Sequence, residues 1–154
     1  MALADLLQQD AIIPALKVNS KKQLLQDIAA KASKLTGVPE REIFDVILQR
    51  ERLGSTGVGH GIAIPHGKLN SISSIRGVFV RLDTPVDFEA LDDEPVDLVF
   101  LLLAPEGAGA DHLKALSRVA RVLRDQDLVA KLRKTDSASA IYAFLNEEQA
   151  NHAA

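Results

Sequence analysis

Val96-Asp97-Leu98-Val99-Phe100-Leu101-Leu102-Leu103-Ala104 is the stretch of this 154-residue chain that most constrains its fold. From Leu98 onward no polar residue alternates with the apolar ones, so a strand built from this run has no wet face. The run is also far shorter than the ~20 apolar residues needed to cross a bilayer. Such a strand must be covered on both sides. A second run of the same kind, residues 75–82 with Val78-Phe79-Val80 at its centre, predicts a buried neighbour. Amphipathic segments are available to cover both. Ser20-Lys21-Lys22-Gln23 has the form of a capping box, and Leu24, Leu25, Ile28, Ala29, Ala32 and Leu35 then share one helix face until Gly37 stops it. Pro39 suits a first helical position ahead of Ile43, Phe44, Ile47 and Leu48, and that helix should stop before Gly54. Residues 111–124 are expected to turn Leu113, Leu116, Ala120 and Leu123 inward, with shorter helices over 127–133 and 137–145, the last carrying Ile141, Phe144 and Leu145. Buried strands between amphipathic helices specify an α/β protein, a three-layer α/β/α sandwich formed by one domain over residues 1–154, with 146–154 as a frayed tail.

Composition narrows the chemistry. Apolar residues make up 47% and charged residues 25%, the balance of a folded domain. Lysine and arginine number 18 against 21 acids, so the net charge of −3 disfavours nucleic acid as a partner and any anion site must be built locally. The absence of cysteine excludes disulfides, thiolate metal sites and a cysteine nucleophile. The first ten residues lack the basic start and apolar centre of a signal peptide, which predicts a cytoplasmic protein without membrane insertion.

Between residues 54 and 67 the periodicity breaks. Gly54-Ser55-Thr56-Gly57-Val58-Gly59-His60-Gly61, Ile62-Ala63-Ile64 and Pro65-His66-Gly67 predict loop, brief strand and loop. His66 follows a proline whose fixed φ stiffens the backbone at the strand end; it is either a nucleophile or an imidazole that satisfies a carbonyl there. His112 opens the helix that follows residues 105–110, where free N–H groups and the helix dipole favour an anion and disfavour a protonated ring. Alternatively it lies at the edge of the Leu113/Leu116 stripe. Arg50 stands seven residues after Ile43, so it continues an inward stripe up to the glycine loop, where its planar fork suits phosphate oxygens. A cation is also favoured at a helix C-terminus, and Glu51 or Glu42 could pair with it. Ser55, Thr56, Gly57 and Gly67 are candidates for a nest that cradles an anion.

Several other chemistries fail on spacing. Gly54 and Gly59 are followed by His60-Gly61 and not by Lys-Ser/Thr, and Gly57-Val58-Gly59 has no glycine at position 62, so neither nucleotide motif is met. His60, His66 and His112 could ligate zinc, but His60 and His66 lack the helical i, i+4 spacing. No Gly-x-Ser-x-Gly elbow is present for a serine hydrolase. His152 falls in the tail.

The run Arg50-Glu51-Arg52-Leu53-Gly54-Ser55-Thr56-Gly57-Val58-Gly59-His60-Gly61-Ile62-Ala63-Ile64-Pro65-His66-Gly67-Lys68 resembles the active-site signature of mannitol/fructose-type enzyme IIA domains of the bacterial phosphoenolpyruvate-dependent sugar phosphotransferase system. Its Gly-Ser-Thr-Gly stretch is most similar to the nitrogen-regulatory branch, and the resemblance extends over nearly the whole chain. It implies a single type-2 IIA domain with a mixed sheet flanked by helices on both sides. It further implies that His66 is phosphorylated, that Arg50 and His112 stabilise the phosphoryl group, and that no cofactor or metal is used. The implied partners are a histidine-phosphorylated, HPr-like phosphocarrier protein and regulatory targets such as transporters or sensor kinases. His60 stands where the family commonly has a small polar residue, which leaves it an indirect influence only. Transfer of phosphate to a separate sugar-transport IIB component is the alternative within the family. A module that senses an anion without covalent change is the alternative outside it.

Overall fold

The computed structural model describes residues 3–153, with side chains through Glu147. Six strands form one mixed sheet: β1 (Ile12–Leu16), β2 (Gly57–Gly59), β3 (Ile62–Ala63), β4 (His66–Leu69), β5 (Arg76–Val86) and β6 (Val96–Pro105). The sheet is ordered β1-β5-β6-β3-β2, with β4 also paired to β6. Every residue of β6 from 98 to 104 is buried. Val99, Leu101 and Leu103 enter one core with α1 (Lys21–Thr36) and α2 (Glu40–Arg52). Leu98, Phe100 and Leu102 enter the other with α3 (Ala110–Val122), α4 (Gln126–Arg133) and α5 (Ala138–Ala153). The run without alternation therefore is a two-faced strand, and the three-layer sandwich follows from it.

Local signals account for the helix ends. The Ser20 hydroxyl accepts the Gln23 amide at 3.1 Å, while the Gln23 side chain reaches back to the Asn19 amide at 2.9 Å. Gly37 ends α1 at φ +79. Pro39 caps α2 in extended geometry and the helix begins at Glu40, one residue later than expected. No described helix is long and apolar enough to cross a membrane.

Three local expectations change. β1 was not legible as a strand, because it is five residues long and contains Pro14; at a sheet edge, the missing N–H is tolerated. His66 and Gly67 lie in strand, not loop, because the chain resumes parallel pairing with β6 directly after Pro65, with His66 opposite Leu102 and Gly67 opposite Leu103. Finally, α3 is turned so that His112, Ala115, Val119 and Val122 lead its inward face; Leu116 and Ala120 pack partly against the core and Leu123 is buried as expected, but Leu113 is 67% exposed. That rotation sets short and β-branched side chains against the sheet and carries His112 inward with them. The backbone of α5 is helical through Ala153; for Ala154 and the side chains after 147, the expected tail lies outside the described residues.

Candidate functional site

A break in the row of strands beside β6 determines the site. β3 and β4 both run along β6, separated by Ile64 and Pro65. The Ile64 carbonyl lies 2.9 Å from Nδ1 of His66, two residues on. A carbonyl can only accept, so Nδ1 carries the proton and Nε2 presents its lone pair. Arg50 meets that lone pair: its Nε–H donates to Nε2 of His66 at 3.2 Å, and its Nη1 donates to the Gly54 carbonyl at 2.9 Å.

Close packing of α2 on β4 brings these two groups together. A Cβ on Gly67 would fall 2.4 Å from a methyl carbon of Val46, so only glycine allows the helix this near. Arg50 stands one turn after Val46 and thereby overhangs His66. From the other side, the first turn of α3 presents His112. It is 6% exposed and meets His66 edge-on, with centroids 5.6 Å apart and planes at 84°. The Nε2 atom of His112 is buried and has no hydrogen-bond partner within the protein.

Electrostatics keep both rings neutral near pH 7. Burial lowers the pKa of His66 below 6.5; the Ile64 hydrogen bond works against this, Arg50 lowers it further and Glu51 raises it. Burial also lowers the pKa of His112, helped by His66 and Lys68. A neutral imidazole with a defined tautomer, beside a guanidinium and a helix N-terminus, is equipped to attack an electrophile and to hold the anion that results.

The other expected loop groups serve a different purpose. The Ser55 hydroxyl donates to the Phe88 carbonyl at 2.8 Å and accepts the Gly57 amide at 3.0 Å. Thr56 is buried, and both its amide and its hydroxyl donate to the Glu51 carboxylate. These donors are committed within the protein, so Ser55, Thr56 and Gly57 do not form the open nest expected of them. Gly67 contributes its lack of a side chain to the α2 contact. His60 is not brought to His66: it is exposed at φ +57, with its amide on Asp92 at 3.0 Å and its carbonyl on Arg133 at 2.6 Å. No cluster of three metal-binding side chains occurs among the described residues.

Glu51 was missed as an interior residue. It continues the Ile43, Ile47 stripe at the same spacing of four, and periodicity counted without regard to charge would have found it.

The family model described as phosphoenolpyruvate-dependent sugar phosphotransferase system, EIIA 2, matches residues 5–148. A nitrogen regulatory protein of Bradyrhizobium diazoefficiens is 65% identical over 145 residues, covering 94% of this chain and 95% of that protein. The nitrogen regulatory protein of Escherichia coli K12 is 40% identical over 151 residues, covering 97% and 92%. The crystal structure of nitrogen regulatory protein IIA-Ntr from Neisseria meningitidis matches with a TM-score of 0.88 at 34% identity, over 93% of this chain and 98% of that one. The fold is shared with mannitol IIA of Escherichia coli, at a TM-score of 0.76 and 23% identity over 90% and 97% of the two chains. A mixed sheet between helical layers, a Pro-His-Gly strand start and a match across almost the full length together establish that this chain belongs to the EIIA 2 family of the phosphoenolpyruvate-dependent sugar phosphotransferase system.

Proposed function

We propose that this chain is a regulatory phosphohistidine protein, which receives a phosphoryl group on Nε2 of His66 from a histidine-phosphorylated phosphocarrier protein. The observation that carries the reading is the single lone pair at the site. The Ile64 carbonyl holds the Nδ1 proton, and Nε2 of a neutral ring faces Arg50.

During transfer, the Nε2 lone pair forms the new N–P bond as the donor's N–P bond breaks, and that electron pair returns to the donor ring. His66 keeps its Nδ1 proton on the Ile64 carbonyl, which stabilises the positive charge that attack places on the imidazole. The donor ring loses the same charge, so no proton has to cross the interface. The Arg50 guanidinium turns from the lone pair to the equatorial oxygens, while its Nη1 bond to Gly54 keeps it in reach. With its proton on Nε2, His112 gives the phosphoryl group a donor that now has no partner. The reaction calls on no cofactor or metal.

The relatives named nitrogen regulatory proteins support regulation as the output. A dianionic group replacing a neutral lone pair changes the charge of the surrounding surface, and with it the affinity for targets such as transporters or sensor kinases. To test the reading, the protein is incubated with phosphoenolpyruvate, enzyme I and phosphocarrier, and its intact mass is measured. One acid-labile, base-stable phosphoryl group is expected, absent in His66→Ala. An adduct that persists in that variant overturns the assignment, and phosphate held without a covalent bond would make the chain an anion-binding module.

A further inference from the structure

Among the described residues the buried polar side chains are Glu51, Thr56 and His112. His112 belongs to the site, and the other two are bonded to each other. Oε1 of Glu51 accepts the Thr56 amide at 3.0 Å and lies 3.0 Å from Nζ of Lys21, while Oε2 accepts the Thr56 hydroxyl. Lys21 is itself seated over the Phe88 ring, 4.4 Å from its centroid. One carboxylate therefore joins the start of α1, the end of α2 and the entry to β2.

Stability alone does not account for a charge at this place. The stripe it continues is Ile43 and Ile47, and an apolar side chain there would avoid desolvating a carboxylate and an ammonium. Replacing such a pair by well-packed apolar groups is often neutral or stabilising. The location suggests a different role. Glu51 follows Arg50 directly, and its side chain closes residues 51–56 into a loop. Within that loop Gly54 donates its amide to the Glu51 carbonyl at 3.1 Å and accepts Nη1 of Arg50 at its own carbonyl. Gly54 lies at φ +151, in a region side chains rarely adopt, and a glycine left untethered there would let its carbonyl swing. Bonding both Thr56 donors fixes the far end of the loop.

We propose that Glu51 is a positioning residue for phosphoryl transfer: by clamping Thr56 it fixes the Gly54 carbonyl, and through that carbonyl it holds the Arg50 guanidinium on Nε2 of His66. The proposal rests on His66 being the phosphoryl acceptor, but its first consequence is visible in the unmodified protein. Without the clamp, Arg50 leaves Nε2 for part of the time and the ring loses one of its two orienting hydrogen bonds.

The test combines nitrogen NMR of the His66 ring with single-turnover transfer from phosphorylated carrier. In Glu51→Ala, the ring signals should move from a single Nδ1–H tautomer towards a mixture. The transfer rate should fall roughly 10- to 100-fold, as expected for a misplaced catalytic group, with the carrier's apparent affinity unchanged. Glu51→Gln keeps an oxygen for the Thr56 amide and should recover most of the rate. A folded Glu51→Ala protein with the wild-type tautomer and wild-type rate overturns the proposal. If Glu51→Ala does not fold, Thr56→Val removes one of the clamping bonds and is judged by the same two readouts. Should the wild type accept no phosphoryl group while Glu51→Ala still alters the ring tautomer, the phosphohistidine reading falls and the clamp stands.

Discussion

Arg50 and Arg133 each reach a histidine, with opposite consequences. Arg133 donates to the backbone carbonyl of His60 and grips Asp97 through Nε and Nη2, at 2.9 to 3.1 Å. It fills the turn so closely that a Cβ on Gly61 would fall 2.3 Å from its Nη2. Its charge is matched and its geometry fixed. Arg50 instead donates to a ring lone pair and a carbonyl, and among the described residues no carboxylate forms an ion pair with it. A guanidinium already paired with a carboxylate holds a turn, whereas one resting on neutral acceptors keeps its charge for an incoming anion. Contact with a histidine does not distinguish the two; the presence of a paired acid does.

The sharpest way to break this contrast is to remove each arginine in turn. Arg50→Ala should slow transfer to His66 by about 10²- to 10³-fold, the usual cost of losing a donor to developing negative charge, and leave the denaturation midpoint nearly unchanged. Arg133→Ala should do the reverse. Loss of its charged hydrogen bonds should cost about 1.5–3 kcal/mol in denaturant titration while the transfer rate stays within a few-fold of wild type. Equal rate losses in both variants would erase the distinction.

A smaller effect is expected from Gly67→Ala. The added methyl must displace Val46, at a cost of about 1–3 kcal/mol, and by moving α2 from β4 it should also slow transfer, which a stability assay paired with the mass assay would detect.

The site should also impart a pH dependence. Folding lowers the pKa values of His66 and His112 below the ordinary 6.5, so between 6.5 and the folded values the unfolded chain binds protons that the native protein does not. The stability from keeping both rings neutral is therefore fully present above pH 6.5 and is lost as pH falls through the lowered values. Denaturant midpoints should drop on acidification across this window, and less so in His66→Ala. The smallest effect is reserved for His60→Asn. Asparagine tolerates the left-handed backbone and the side chain is exposed, so stability should change by less than ~0.5 kcal/mol and transfer not at all.

Much of this architecture was legible because its signals are local or strongly periodic. The Ser20 cap, the Gly37 stop and the unbroken apolar run of β6 each dictate their element with little help from elsewhere. What escaped depends on tertiary partners. β1 exists because β5 offers it an edge, with Ile12 opposite Phe79. The phase of α3 was misread because Leu113 is a better hydrophobe than Ala115, although packing against the sheet prefers the smaller side chain. In the site, Arg50 and His112 could be nominated by position, but neither the His66 tautomer nor the commitment of Ser55 and Thr56 to internal acceptors is written in spacing.

The interruption at Ile64-Pro65 has an evolutionary corollary. The acceptor that sets the His66 tautomer is a main-chain oxygen, so no exchange of the residue at position 64 can delete it. That share of the ring's orientation is thereby inherited with the path of the chain, whereas the share supplied by the guanidinium opposite is open to loss by a single codon change. Drift at the guanidinium should therefore weaken the hold on an anion and loosen the tautomer together, while the main-chain contact to Nδ1 persists.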